Sequence, residues 1–375
     1  MTPPPAEPRP PADPPADPPA DPPANPSSPA ARPAVRTGGR LSQQERESAR
    51  EAIRQYATRR PTLVQATDGF VTLLTSMLDD AGINYLTVTG RTKSVASFAE
   101  KATRRVDGQL LTDPLEQITD QIGLRVITYV RDDVDAVAEL LAQELTVLDD
   151  RDLGRETADQ GRWGYASRHL VFAVDASRTL GPLQQELRTF TASVQLRTVL
   201  QHAWAEFEHD IRYKGTVPEA HAPDLNRRFT LAAGLLELAD HEFSAIRDRL
   251  RESVPEQRAE VADAEDEDPR ISSQVLSSFL AGHYPDAGWS RTEHYDWISG
   301  LLLELGITSI EELAHVLGTV DSDAVTARMG YRYPPAAVRR LDDALLVVFG
   351  EDYVTRRGNA HRVDQLHERL RKLEE

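Results

Sequence analysis

Apolar positions follow two alternating periods through residues 42–254, and each switch marks a change of element. Helical spacing begins at Ser42. A second helix is expected over 62–80, with Val64, Phe70, Leu73, Leu74 and Met77 on its buried side and Gly82 as terminator. At Tyr85 the period drops to two, so 85–89 reads as a strand, followed by Gly90-Arg-Thr-Lys-Ser and a helix from about Ser94. A short helix is expected over 115–121, a buried strand over 124–130 and an amphipathic helix over 132–145. Residues 146–149 and 169–174 supply two more strands, and 190–196 alternates strictly enough to be the fifth. Thr198 can cap a helix on which Leu200, Trp204, Phe207 and Ile211 form an apolar stripe. The pattern predicts an α+β fold, a mixed five-stranded sheet flanked by helices.

After Gly215 only the helical period remains. Residues 225–254 carry Phe229, Leu231, Leu235, Leu236, Leu238, Phe243, Ile246 and Leu250, which predicts one long helix packed on the sheet domain. Residues 255–270 are acidic and bounded by Pro255 and Pro269, the composition of a linker. The remainder, 271–375, reads as an all-helical module with helices near 271–281, 292–305, 308–317, 321–329, 334–348 and 361–374. Ahead of the folded part, 15 of the 25 prolines fall within residues 1–39, with Asp-Pro-Pro-Ala repeated, so a disordered tail is expected there. The expected domains are therefore 1–39, 41–254, 255–270 and 271–375.

Composition narrows the chemistry. The chain has no cysteine, which excludes disulfides, thiolate catalysis and cysteine-ligated zinc. No apolar run approaches the ~18 residues that span a bilayer, and no signal segment is visible, so a cytoplasmic protein without a membrane partner is expected. A net charge of −17 argues against broad nucleic-acid binding but leaves room for a local basic pocket.

Four stretches could carry such a pocket. Arg91 and Lys93 follow a strand, and Ser97, Lys101, Arg104 and Arg105 share the next helix, which suits either a polyphosphate or a solvated basic face. Asp120 and Arg125 flank Gly123 at a helix-to-strand turn. There a carboxylate could hold Mg²⁺ against phosphates or form a structural ion pair. The loop 161–169 sets Trp163 and Tyr165 beside glycines ahead of Arg168 and His169, where rings can stack a base or anchor the loop. On the 198–214 helix, His202, Glu206, His209 and Tyr213 fall together opposite the apolar stripe. They read as a site, as a solvated polar face, or as a His-Glu-His metal set whose spacing matches no standard ligand motif.

Together these stretches resemble the RelA/SpoT-type alarmone synthetase family. The resemblance rests on Arg91-Thr-Lys-Ser-Val-Ala-Ser97, Asp120-Gln-Ile-Gly-Leu-Arg125, Gly164-Tyr-Ala-Ser-Arg-His169, and Gln195-Leu-Arg-Thr198 followed by Ala203-Trp-Ala-Glu-Phe-Glu-His209 and Tyr213-Lys214. It covers roughly residues 85–215 and does not extend to the metal-dependent hydrolase domain of the long family members. It implies a nucleotidyltransferase-like sheet and transfer of pyrophosphate from ATP to the 3′-hydroxyl of GTP or GDP. Arg91, Lys93, Ser97, Lys101 and Arg125 would bind ATP, and Asp120 would ligate Mg²⁺. Tyr165, His169, Arg168 and His202 would serve the acceptor, and a homo-oligomer is implied because small relatives commonly form tetramers. The family's strand reads Glu-x-Gln-x-Arg-Thr, and two positions before Gln195 this chain has Ser193 in place of that catalytic Glu. A serine neither accepts a proton at neutral pH nor ligates Mg²⁺ well, which sets active transfer against a catalytically silent nucleotide binder acting through its C-terminal module. A tRNA 3′ end is the alternative acceptor, and the module's own partner is unknown.

Overall fold

The structure, a computed structural model, describes residues 42–105, 109–159, 167–175, 182–214, 222–257 and 268–374. The proline-rich stretch 1–39 and most of the acidic stretch 255–270 lie outside the described residues. The first element is α1 (Gln43–Ala81), opened by a capping box in which Ser42 Oγ accepts from Glu45 N at 3.2 Å and Ser42 N donates to Glu45 Oε2 at 2.7 Å. Where two helices were expected there is one, running through Pro61. Pro61 and Ala57, whose carbonyl loses its helical donor, are both exposed, so water can satisfy that carbonyl. The buried stripe Ala52, Tyr56, Leu63, Ala66, Phe70, Leu74 and Leu78 continues across the proline, and packing on the sheet outweighs the break. Gly82, at φ 67°, ends the helix in the left-handed region as expected.

There follow β1 (Thr87–Thr92), α2 (Val95–Ala102), α3 (Pro114–Gln117), β2 (Ile122–Thr128), α4 (Arg131–Glu144), β3 (Thr146–Asp152), α5 (Leu153–Asp159), β4 (Arg168–Ala173), β5 (Thr191–Thr198) and α6 (Val199–Lys214). The five strands lie in the order β1-β2-β5-β4-β3, with β2 and β5 parallel and every other pair antiparallel. This is the mixed sheet that the alternation predicts. The first strand starts later than expected because Tyr85 is used elsewhere: its hydroxyl donates to Asp79 Oδ1 at 2.8 Å. Gly90 is then a strand residue, and a Cβ there would sit 2.6 Å from Val71 Cγ2, so α1 can rest on β1 only over a glycine.

Strand alternation divides the sheet into two faces. Even-numbered Leu124, Val126, Leu170, Phe172, Val194 and Leu196 are buried in one core with residues of α1 and α4, Phe172 meeting Phe70 edge-on at 5.7 Å. Each such side chain contributes about 1.5–3 kcal/mol by leaving water. Odd-numbered residues of β2, β4 and β5 project from the other face.

At the end of β5, Thr198 caps α6 as expected. Thr198 Oγ1 accepts from Gln201 N at 3.2 Å, and Gln201 Oε1 accepts from Thr198 N at 3.0 Å. The stripe on α6 is not buried as the spacing predicts. Trp204 packs edge-on to Phe229 at 5.6 Å, but Phe207 and Ile211 are 53% and 43% exposed. The next helix, α7 (Ala222–Gln257), meets α4 and α6 with an arc holding Ala233, Leu236, Asp240 and Arg247; Arg247 pairs with Asp132 and Asp133. Leu231, Leu235, Leu238 and Ile246 lie on a different arc, between 54% and 68% exposed. Apolar residues occupy two arcs of α7, and only one faces the sheet domain.

The C-terminal helices are α8 (Ser273–His283), α9 (Thr292–Glu304), α10 (Ile310–Leu317), α11 (Ser322–Met329), α12 (Ala337–Phe349), α13 (Glu351–Val354) and α14 (Val363–Glu374). They enclose a second core around Leu276, Ile298, Leu302, Leu313, Leu341, Leu345 and Leu366. This core is docked on the first. His294 Nε2 lies 3.0 Å from Asp79 Oδ1, Arg339 donates to the Asp80 carbonyl, and Arg332 N donates to Gln143 Oε1 at 2.9 Å. Tyr331 packs against both cores. Among the described residues, no helix is long and apolar enough to cross a membrane.

Candidate active site

The register of the sheet sets the site's floor. One row runs Arg91, Gly123, Ser193, Val171 across β1, β2, β5 and β4; the next runs Thr89, Arg125, Gln195, His169, Arg151 from β1 to β3. Gly123 has no side chain, and the Arg91 stem lies over it, with Cγ 3.7 Å from where a Cβ would be. Arg91 is thereby laid across the sheet toward Ser193 and Arg125.

Beside this row stands Asp120, in the single 3-10 turn Thr119–Gln121 that leads into β2. Its Oδ2 lies 2.8 Å from Lys93 Nζ and 2.5 Å from Lys101 Nζ. Lys93 is fixed at its backbone, where N donates to the Gln121 carbonyl at 2.9 Å and O accepts from the Tyr56 hydroxyl at 2.7 Å. Lys101 is aimed by α2, whose Phe98 stacks on Tyr56 with ring centroids 4.0 Å apart. Burial opposes ionisation of Asp120, but the two ammonium groups together outweigh it and hold the carboxyl below its ordinary value. Burial presses Lys93 downward against the pull of Asp120. Asp120 Oδ1 is buried and has no hydrogen-bond partner among the described residues.

On the other side of Gly123, Arg125 Nη1 lies 2.9 Å from Glu206 Oε1, and His202 Nδ1 lies 3.7 Å from the same oxygen. Burial, then the neighbouring Arg125, lowers Arg91 to about 10; the same two causes lower Arg197 to about 9. Both remain cationic at neutral pH. His169 is pressed down to about 4, first by burial and then by Arg151, so its ring is neutral; its Nε2 lies 2.8 Å from Ser167 Oγ. The fold thus brings Arg91, Lys93, Lys101, Asp120, Arg125, His202 and Ser193 to one region, with His169 across Gln195 from Arg125.

Other expected residues are placed differently. Arg168 is even-numbered and turns to the helix-packed face, where it forks onto Asp150 at 2.7 and 3.0 Å and meets Asp135 of α4, away from His169. Ser97 serves its own helix: its N donates to Ser94 Oγ at 3.1 Å. Tyr165 lies outside the described residues. No group of three or more His, Asp or Glu is placed to hold a metal among the described residues, so the His-Glu-His reading of α6 finds no support. One residue and one pairing were missed. Arg197 is buried on the site face, and the alternation 193, 195, 197 could have revealed it. The pairing of Glu206 with Arg125, 81 positions away, left no local signal.

Several guanidinium and ammonium groups around one carboxylate, on an open sheet face, form a receptor for a polyanion such as a triphosphate. Comparison with known proteins agrees. The family described as "Region found in RelA / SpoT proteins" matches residues 90–217. The chain is 34% identical to GTP pyrophosphokinase YjbM of Bacillus subtilis (strain 168) over 170 residues, 44% of this chain and 74% of that protein. It is 28% identical to GTP pyrophosphokinase YwaC of the same organism over 126 residues, 33% of this chain and 56% of that one. Among solved structures, small alarmone synthetase 1 from Bacillus subtilis aligns at 27% identity over 53% of this chain and 98% of its own, with a TM-score of 0.41. On the shared stretch and its identity, the chain belongs to the RelA/SpoT-type small alarmone synthetase family.

Proposed function

We propose that this chain transfers the pyrophosphoryl group of ATP to the 3′-hydroxyl of GTP or GDP. The observation that carries the reading is the cation row Arg91, Lys93, Lys101 and Arg125, with Asp120 held by the two lysines and Glu206 by Arg125. In the transfer the 3′-oxygen bonds to the β-phosphorus, the bond from that phosphorus to the α-bridging oxygen breaks, and AMP leaves. The cations hold the triphosphate and offset charge as it shifts to the leaving group. The unpartnered Oδ1 of Asp120 fits Mg²⁺, which takes one or two protein carboxylates and fills its remaining positions with phosphate and water. The ion would supply further charge neutralisation on the transferred group. His169 and His202 would line the acceptor's side.

Purified protein with labelled ATP, Mg²⁺ and GTP, GDP or tRNA tests the reading: AMP should appear together with label on the guanosine nucleotide. Label on the tRNA end would select the alternative acceptor. ATP binding without AMP release would leave a silent binder.

We further propose that copies of the chain associate through the exposed arc of Leu231, Leu235, Leu238 and Ile246 on α7. Contiguous apolar surface of this kind marks association sites on otherwise polar chains. Leu235→Glu should shift the mass measured by light scattering to that of a monomer, and an unchanged mass would reject this face.

A further inference from the structure

The family's carboxylate is missing from β5, yet a carboxylate reaches the same cation row from α6. Ser193 cannot replace an acid: its Oγ is turned to the Ile122 carbonyl at 3.2 Å, and a hydroxyl takes no proton at neutral pH. Asp120 is held by two lysines and is committed to them. Glu206 differs from both. Its side chain is 38% exposed, open to substrate from above the sheet, and Oε1 is 2.9 Å from Arg125. Its charge also reaches Arg91 and Arg197 of the row. Two turns separate it from the end of β5, and the cap made by Thr198 and Gln201 fixes the start of that helix.

Resting on the transfer reading above, we propose that Glu206 is the base for the acceptor hydroxyl and that ATP itself releases it. Without nucleotide, Oε1 of Glu206 is taken up by Arg125 at 2.9 Å and is not presented to an acceptor hydroxyl. A triphosphate offers the guanidinium several anionic oxygens in place of one carboxylate, so Arg125 turns to phosphate. Glu206 is then free beside a site that already holds the donor. The 3′-hydroxyl gives its proton to a Glu206 oxygen as the 3′-oxygen bonds to the β-phosphorus, and AMP departs with the electrons of the broken phosphorus–oxygen bond. The base is thus available only when there is a donor to use it on.

Two variants test this, with a non-hydrolysable ATP analogue as the binding probe. Glu206→Gln should lower kcat by about 10²–10⁴-fold, the usual contribution of a positioned base. It should also bind the analogue about fivefold more tightly, because Arg125 no longer leaves a charged partner to reach phosphate. Ser193→Glu combined with Glu206→Gln should recover at least about tenfold of the lost kcat, since position 193 faces the same row. A Glu206→Gln variant with wild-type kcat overturns the proposal. So does one whose kcat falls while analogue binding weakens, since that pattern means Glu206 only holds Arg125 in place. A wild-type chain that binds the analogue but releases no AMP with any acceptor overturns the transfer reading, and the base role with it, before any variant is made.

Discussion

Replacing Asp342 with alanine destabilises the C-terminal helical half by about 3–5 kcal/mol, the usual cost of removing one partner from a buried ion pair. Asp342 on α12 is 2% exposed. It accepts from Arg362 at 2.5 and 2.8 Å, from Arg369 at 2.7 Å and from the Tyr353 hydroxyl. Arg369 also reaches Asp343, which accepts from Tyr331 at 2.7 Å and lies 3.6 Å from Arg339. Arg339 continues to the Asp80 carbonyl at the end of α1, so the network ties the two cores together. Without Asp342, Arg362 and Arg369 stay buried with too little negative charge to balance them. Burial disfavours the ionised form of Asp342, but Arg362 and Arg369 outweigh it and hold the carboxyl far below its ordinary value. A depressed carboxyl contributes stability above its unfolded value of 3.8, and that contribution is lost as pH falls further, so it is fully present at neutral pH. Urea unfolding at pH 7 checks the prediction, with Asp286→Ala as control. Asp286 pairs with Arg340 at 2.6 Å, but its side chain is 75% exposed, and its loss should cost under about 1 kcal/mol. Equal losses in the two variants would mean that the buried network contributes nothing special.

That network shows where the sequence stops being informative. Arg339, Arg340, Asp342 and Asp343 put four charges within five positions, yet all four are buried. Their partners stand up to 259 positions away, and no periodicity encodes that pairing. The same limit hid the pairing of Glu206 with Arg125. By contrast, what depends on neighbours in sequence was legible: alternation marked 190–196 as a strand, and Thr198 was recognisable as a cap. Proline's local cost was also legible, but packing of the stripe from Ala52 to Leu78 overrode it. Arg168 was misplaced for a simpler reason. Reading the motif as a block ignored that its neighbour His169 must point the other way.

Asp120→Asn should lower transfer by at least about 10²-fold, because a metal's charge stabilisation in a transition state is worth several kcal/mol. The more decisive readout is binding of a non-hydrolysable ATP analogue, where the variant should move in opposite directions with and without Mg²⁺. In the wild-type chain Lys93 and Lys101 spend their charge on Asp120, at 2.8 and 2.5 Å. Asparagine keeps the shape and removes that claim, so in chelator both lysines turn to the triphosphate and affinity rises. With Mg²⁺ the wild-type chain binds more tightly, since the buried Oδ1 becomes a ligand, whereas the variant has no anionic oxygen to offer and should not respond. Lys93 sets the limit on this substitution: its side chain is 7% exposed, and it keeps only neutral partners once the carboxylate is gone. Lys93→Met in the Asp120→Asn background should therefore regain stability while losing the affinity measured in chelator. If wild-type binding is indifferent to Mg²⁺, Asp120 is an anchor for the two lysines and not a metal ligand. The donor's charge would then be met by the cation row alone.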